Sequence, residues 1–375
     1  MTSEVSVGTQ ASKARVLIFS LRNIFGKHLF RCPHHEFEDI ICEIDSAELL
    51  APTLDPSKTF PAFATRLAYH TPIALNPGIQ TTYPRKSYDI FFTVCGFPQD
   101  LLMVNAIRNL RDACRTSVCL IDELWIKEFG HHRHFLRILA QFDVVLLYYS
   151  QTVKPFSEQF GCRSVFLPPG VDAISFCPYP DPPKRVIDVY SIGRRSEITH
   201  QKLLRMTRES GLFYLHDSIG GREAISTKEH RALFANVAKR SRYFIVNPGV
   251  IDQPDKRGNQ FEIGNRYFEG AASGAIMVGE RPKNEEFERL FDWPEAVIRL
   301  PYDSSDIDMV IRDLDGDLER QDRIRRTGVV RSLMHHDWVY RWEAVLRIVG
   351  LEPLQGALDR KERLKKLADI VPQSG

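Results

Sequence analysis

Asp89-Ile90-Phe91-Phe92-Thr93-Val94, Ser117-Val118-Cys119-Leu120-Ile121 and Asp143-Val144-Val145-Leu146-Leu147-Tyr148 are three short apolar runs that recur at even spacing. None alternates polar with apolar, so each predicts a strand buried on both faces. Helical stretches at Pro98 to Cys114, Phe135 to Gln141 and Lys154 to Phe160 stand between or after them. Strands of this kind alternating with helices imply a parallel sheet covered on both sides, in an α/β protein. The pattern reaches back to Arg15-Val16-Leu17-Ile18-Phe19 and on to Ser164-Val165-Phe166-Leu167. Within it, 21–30 reads as a loop, His35 to Ile44 as a helix, and 51–87 as irregular.

Pro168 to Lys184 contains six prolines and reads as a linker. Beyond it the rhythm restarts with Val186-Ile187-Asp188-Val189-Tyr190-Ser191-Ile192. Strands follow at Phe213 to Leu215, Tyr243 to Asn247, Ala275 to Val278 and Val297 to Leu300. Helices are expected over Gln201 to Glu209, Thr227 to Lys239 and Asn265 to Ser273, and Asp306 to Gly350 is helical. Two sheets of similar size joined by a proline-rich hinge is the expected architecture, and 375 residues suit two cores better than one.

Composition excludes several classes. Fifty basic against 48 acidic groups leave a net charge of +2, too balanced for a protein that wraps nucleic acid. The seven cysteines are scattered without a C-x-x-C pair, which argues against a disulfide framework or a zinc knuckle. His131-His132-Arg133-His134 lacks the i, i+4 spacing of a helical zinc pair and reads as solvated loop histidines. The polar start, Met1 to Lys13, lacks the apolar central stretch expected of a signal peptide, and no apolar run approaches the ~18 residues of a membrane span. A cytoplasmic protein is expected. Contact of the basic tail, Arg360 to Lys366, with the inner membrane face stands as the minor alternative to a solvated helix.

Chemistry concentrates in Glu262-Ile-Gly-Asn-Arg266-Tyr-Phe-Glu269-Gly-Ala-Ala-Ser-Gly274. In a helix, Glu262, Arg266 and Glu269 share one face, and the small residues through Gly274 permit close approach before the next strand. A carboxylate at the rim of such a sheet can take ribose hydroxyls, while helix amides and arginines hold a diphosphate. The bland alternative is a surface helix with an ordinary Glu262–Arg266 pair. Gly193-Arg194-Arg195 ends the first strand of the second half, where a glycine turn and two guanidiniums suit phosphate. In the first half, Asp122 and Glu123 follow a strand. There they can orient an acceptor hydroxyl or stabilise developing positive charge, unless Asp122 serves as a helix cap. Gly26-Lys27-His28 follows the first strand without the glycine spacing of a Walker A loop.

The second half resembles the donor-binding domain of GT-B glycosyltransferases, nearest the family 4-like group that includes the CgeB/YkvP-type domain. The matching residues are Pro169-Gly-Val-Asp172 with Phe176 and Pro178, Asp188 to Arg194, Arg266 to Gly274, and His336-Asp337-Trp338-Val-Tyr-Arg341-Trp342. The resemblance implies two Rossmann-like domains whose parallel sheets face each other across a cleft. It divides the chain into a leader (1–14), an acceptor-side domain (15–175), a nucleotide-sugar domain (176–335) and helices that cross back (336–375). It further implies a nucleotide-diphosphate sugar as co-substrate, no other cofactor, no obligatory metal, and transfer with retention to a saccharide, lipid-linked or protein acceptor. Gly193, Arg194, Arg195, Arg266, Glu269 and Gly274 would hold the donor, with Glu269 on the ribose, while Asp122, Glu123 and Glu262 would serve catalysis. The family places seven residues between its two glutamates and this chain places six, so Glu269 carries over better than Glu262. Lys202 lies farther downstream than the family's lysine, and Arg195 stands in for it. Two rival functions are a non-catalytic GT-B-like binding protein and a nicotinamide-dependent oxidoreductase, though no G-x-G-x-x-G follows the first strand.

Overall fold

The computed structural model describes residues 14–25, 28–55, 61–84, 86–217 and 226–372. The first sheet contains β1 (Val16–Phe19), β2 (Ala47–Leu50), β3 (Tyr88–Cys95), β4 (Cys114–Ile121), β5 (Val144–Leu147) and β6 (Ser164–Phe166) in the order β2-β1-β3-β4-β5-β6. The second contains β7 (Ile187–Ser191), β8 (Tyr214–His216), β9 (Ser241–Val246), β10 (Ile276–Gly279) and β11 (Ile298–Arg299) in the order β11-β10-β9-β7-β8. Every pairing is parallel. The apolar runs explain this, because successive side chains leave a strand on opposite faces and both faces here meet apolar cover. Ile90, Phe92 and Val94 enter one core, while Phe91 and Cys95 of the same strand enter another.

The linker belongs to one continuous apolar cluster that runs from Val16 and Phe92 through Phe176 to Phe244 and Met277. The chain crosses between domains twice, and the two crossings are hydrogen-bonded to each other. Val171 N–H donates to His336 O, and Trp338 N–H returns to Val171 O. The helix Trp338–Val349 then packs on the helix Cys32–Ile44 of the first domain. There the Trp338 ring stacks on Phe37 at 4.7 Å, and its indole N–H donates to Glu36 at 2.8 Å. Gly170 sits beneath that ring, and a Cβ there would lie 2.6 Å from it.

Some local expectations required correction. Residues 21–30 hold the short helix Arg22–Phe25 and the start of a 3-10 turn, Leu29–Arg31, while Gly26 and Lys27 lie outside the described residues. The stretch 51–87 contains the helix Pro61–His70, and β2 was missed because this strand is only partly buried. The helix expected over Pro98 to Cys114 is broken. Asn109 adopts a left-handed conformation (φ 56°), and Cys114 already belongs to β4. The helical remainder is interrupted at Asp317 and Asp337, each of which caps the helix that follows it. Nor is the basic tail wholly solvated. Arg360 is buried and donates to both Asp337 and Asp172, and Leu364 is fully buried. Among the described residues no helix is long and apolar enough to cross a membrane.

Replacing Trp338 by Ala removes a buried ring and one of the hydrogen bonds of Glu36. We expect a loss of about 3–5 kcal/mol, read by denaturant unfolding. A loss below about 1 kcal/mol would mean that the second crossing does not hold the domains together.

Candidate functional site

Both sheets reverse strand order at their first strand, β1 lying between β2 and β3, and β7 between β8 and β9. Crevices form at such reversals, beyond the carboxyl ends of the strands. Here the two crevices share one cleft of about 420 Å³. Leu29, Phe30 and Pro33 after β1, Phe97 after β3, Asp122 and Glu123 after β4, and Tyr149 after β5 form the first-domain wall. The second domain contributes Arg194 after β7, Gly249 after β9, His230, Arg231 and the segment Glu262 to Arg266.

The carboxylates after β4 are held differently from each other. Asp122 caps no helix. Its N–H donates to Cys95 O at 2.9 Å, and its carboxylate meets His34 Nε2 at 2.7 Å. His34 is 2% exposed and Asp122 19%, so the carboxylate faces the cleft and the histidine stands behind it. His34, from the first turn of the helix Cys32–Ile44, was missed in the sequence because its partner is 88 residues away. Glu123 accepts from Trp125 Nε1 at 3.0 Å and pairs with Lys256, which reaches across from the second domain.

The second domain offers the basic wall. Arg194 is 43% exposed and pairs with Asp252 at 3.0 Å. Arg266 opens the helix Asn265–Ser273, whose N-cap, Gly264, supplies no side-chain hydrogen bond. Gly264, Asn265 and Arg266 line the cleft, so the start of this helix and the positive end of its dipole border it without a side-chain cap. Asn265 Oδ1 finds no hydrogen-bond partner among the described residues. Burial lowers the pKa of His230, assisted by the nearby Arg231 and Arg266.

Five sequence-derived site residues lie outside the cleft or are bound to other groups of the protein. Glu269 is 0% exposed, and both its oxygens are taken, one by Arg231 and one by Arg266. Arg231, also missed in the sequence, forks onto Glu36 of the first domain through Nε at 2.7 Å and a terminal nitrogen at 3.1 Å. Glu262 precedes the helix rather than sharing its face. Its carboxylate accepts the backbone N–H groups of Ser150 (3.1 Å) and Gln151 (3.2 Å), which begin a first-domain helix, together with Gln260 and Asn284 side chains. Arg195 turns away to Asp217 at 2.6 Å and lines a separate small cavity. Gly274 ends the helix at φ 65°, at the opposite end from the cleft. Gly193 (φ 87°) makes the turn after β7 and donates its N–H to Asp217.

This is the GT-B glycosyltransferase fold. Residues 200–347 match the model of a glycosyl transferase-like family. Over 90% of this chain and 99% of the other, the fold resembles HepE of Anabaena in complex with UDP, with a TM-score of 0.54 at 12% identity. A glycosyltransferase of Rickettsia africae matches with a TM-score of 0.50 at 10% identity, covering 90% of this chain and 98% of the other. An α-glucosyltransferase in complex with UDP-glucose and abasic-site DNA gives 0.51 at 12%, covering 90% and 99%. No curated protein matches the chain in sequence.

Burial pushes Glu262 up to about 7 against four hydrogen bonds that favour its ionised form. A carboxyl whose folded pKa exceeds its unfolded value (about 4.3) stabilises fully below pH ~4. That contribution is lost as pH rises through about 7. Glu262→Gln should therefore lower the melting temperature most near pH 5 and least near pH 8. Melting curves across that range check it, and a penalty that grows with pH would contradict the assignment.

Proposed function

We propose that the protein transfers a sugar from a nucleotide-diphosphate donor to an acceptor hydroxyl in the cleft between its domains. The polarity of that cleft carries the proposal. Arg194, Arg266 and an uncapped helix start form one wall, while Asp122 and Glu123 form the other. Two guanidiniums and free helix amides suit a diphosphate leaving group, and take the place of a divalent ion as its countercharge. Glu269 then acts on the donor through Arg266, which it orients, rather than by touching ribose. Placement in the CgeB/YkvP-type group rests on the quoted motifs alone.

UDP is the first nucleotide to test, because HepE and the α-glucosyltransferase are each described with UDP or UDP-glucose. A ligand that binds only the folded state stabilises it, by about 2.7 kcal/mol at a hundredfold excess over Kd. A nucleoside diphosphate should raise the melting temperature by several degrees, with or without EDTA, and Arg266→Ala should abolish most of the rise. No rise with UDP, GDP, ADP or CMP would favour the non-catalytic alternative, and a rise with NAD alone would favour the oxidoreductase.

Asp122 lines the cleft, and His34 fixes its orientation. Asp122→Asn should reduce kcat by about 100-fold or more while donor affinity changes little. With retention, as the resemblance implies, the carboxylate stabilises positive charge at the anomeric carbon. Proton NMR of the first-formed product anomer checks this, and an inverted product would instead make Asp122 the base that deprotonates the acceptor.

A further inference from the structure

The edge of the first-domain wall is aromatic. Phe30 is 41% exposed, and its ring lies 5.3 Å from that of Phe97, both lining the cleft. A lone exposed phenylalanine is ordinary, but these two rings are held by a buried device. Arg31, 3% exposed, forks onto Asp100 at 2.8 and 3.1 Å, and its guanidinium lies 5.0 Å from the Phe30 ring and 6.0 Å from that of Phe97. Asp100 also accepts the N–H groups of Gly96 (2.8 Å) and Phe97 (3.1 Å), which fixes the loop after β3. A Cβ at Gly96 would meet the Phe30 ring and the guanidinium at 3.1 Å. The ion pair therefore sets the two rings in place before any ligand arrives, which lowers the ordering cost of binding.

We propose that Phe30 and Phe97 form an acceptor subsite for an uncharged, hydroxyl-bearing ring that rests its apolar face on them. Naming the ligand an acceptor rests on the glycosyl-transfer function above; binding of the ring itself does not. Aromatic lining with a few convergent polar groups is the usual make-up of a small-molecule pocket. Asp122 on the same wall accepts hydrogen bonds from ring hydroxyls and repels a phosphate or carboxylate, while Lys256 offsets the charge of Glu123. Among the described residues, the only cation beside the two rings on this wall is Arg31, and its charge is turned to Asp100. The ring can be a saccharide presenting its C–H face or an aromatic aglycone, which share this chemistry.

Saturation-transfer NMR on the full chain, with saturating UDP present to occupy the basic wall, tests the subsite with methyl β-glucoside, 4-hydroxybenzyl alcohol, p-nitrophenyl β-glucoside and glucose 6-phosphate. At least one neutral ring should receive saturation and the phosphorylated sugar should not. Signal from methyl β-glucoside identifies a saccharide, and signal from 4-hydroxybenzyl alcohol alone identifies an aromatic ring. Phe30→Ala should weaken the best probe by about tenfold, and Phe30→Tyr, which keeps a ring, should restore it. The UDP-induced rise in melting temperature should be the same in all three proteins, which shows that they are folded. No ring binding, equal binding by wild type and Phe30→Ala, or preference for glucose 6-phosphate would overturn the subsite. Ring binding without any nucleotide binding would instead remove the donor assignment and leave the subsite standing.

Discussion

Arg231 holds a charge that is almost wholly buried, and the relation between the two domains depends on how that charge is met. An isolated guanidinium in such a place costs many kcal/mol, so the fold persists only with its carboxylate partners in position. One partner, Glu36, belongs to the first domain, and the other, Glu269, to the helix that opens the cleft. Both carboxylates are themselves buried and bind further groups, Glu36 taking the indole N–H of Trp338 and Glu269 taking Arg266. Helix Cys32–Ile44, helix Thr227–Lys239, helix Asn265–Ser273 and the second interdomain crossing are thereby fixed to one another. Burial strongly disfavours both carboxylates' charges, and Arg231 opposes that effect. Glu36 still ends above the ordinary glutamate range, while Glu269, with two guanidiniums, ends below it.

Apolar burial supplies the bulk of the stability, and the polar ties supply the geometry. A single core joins the two domains through the hinge, but apolar contact alone tolerates many relative orientations. Directional bonds select one. Glu262 terminates the first-domain helix Ser150–Phe160 from the opposite domain, and Gln260 reaches both Ile126 N–H and Thr152 Oγ1. These contacts set the cleft width with the basic wall of the second domain opposite the acidic and aromatic wall of the first. The chemistry of the cleft follows from that opposition rather than from any one residue.

Periodicity and composition were enough for the α/β class, the two parallel sheets and the helix Asn265–Ser273, which the structure places at those bounds. These features are local. A run such as Ile90 to Val94 is buried on both faces wherever it pairs. Asp122, Glu123, Arg194 and Arg266 were also legible as cleft residues, because strand ends in such sheets face the crevice. The roles of Glu262, Glu269, Arg195, Gly274, His34 and Arg231 were decided by tertiary structure alone. Spacing says which side chains are neighbours along a helix, but not which distant group will take their hydrogen bonds. Glu262 found the amides of a helix 111 residues earlier, and Arg231 found a glutamate 195 residues away. A buried charge must be satisfied by whatever the fold brings within about 3 Å of it, and that neighbourhood exists only once the two domains have met.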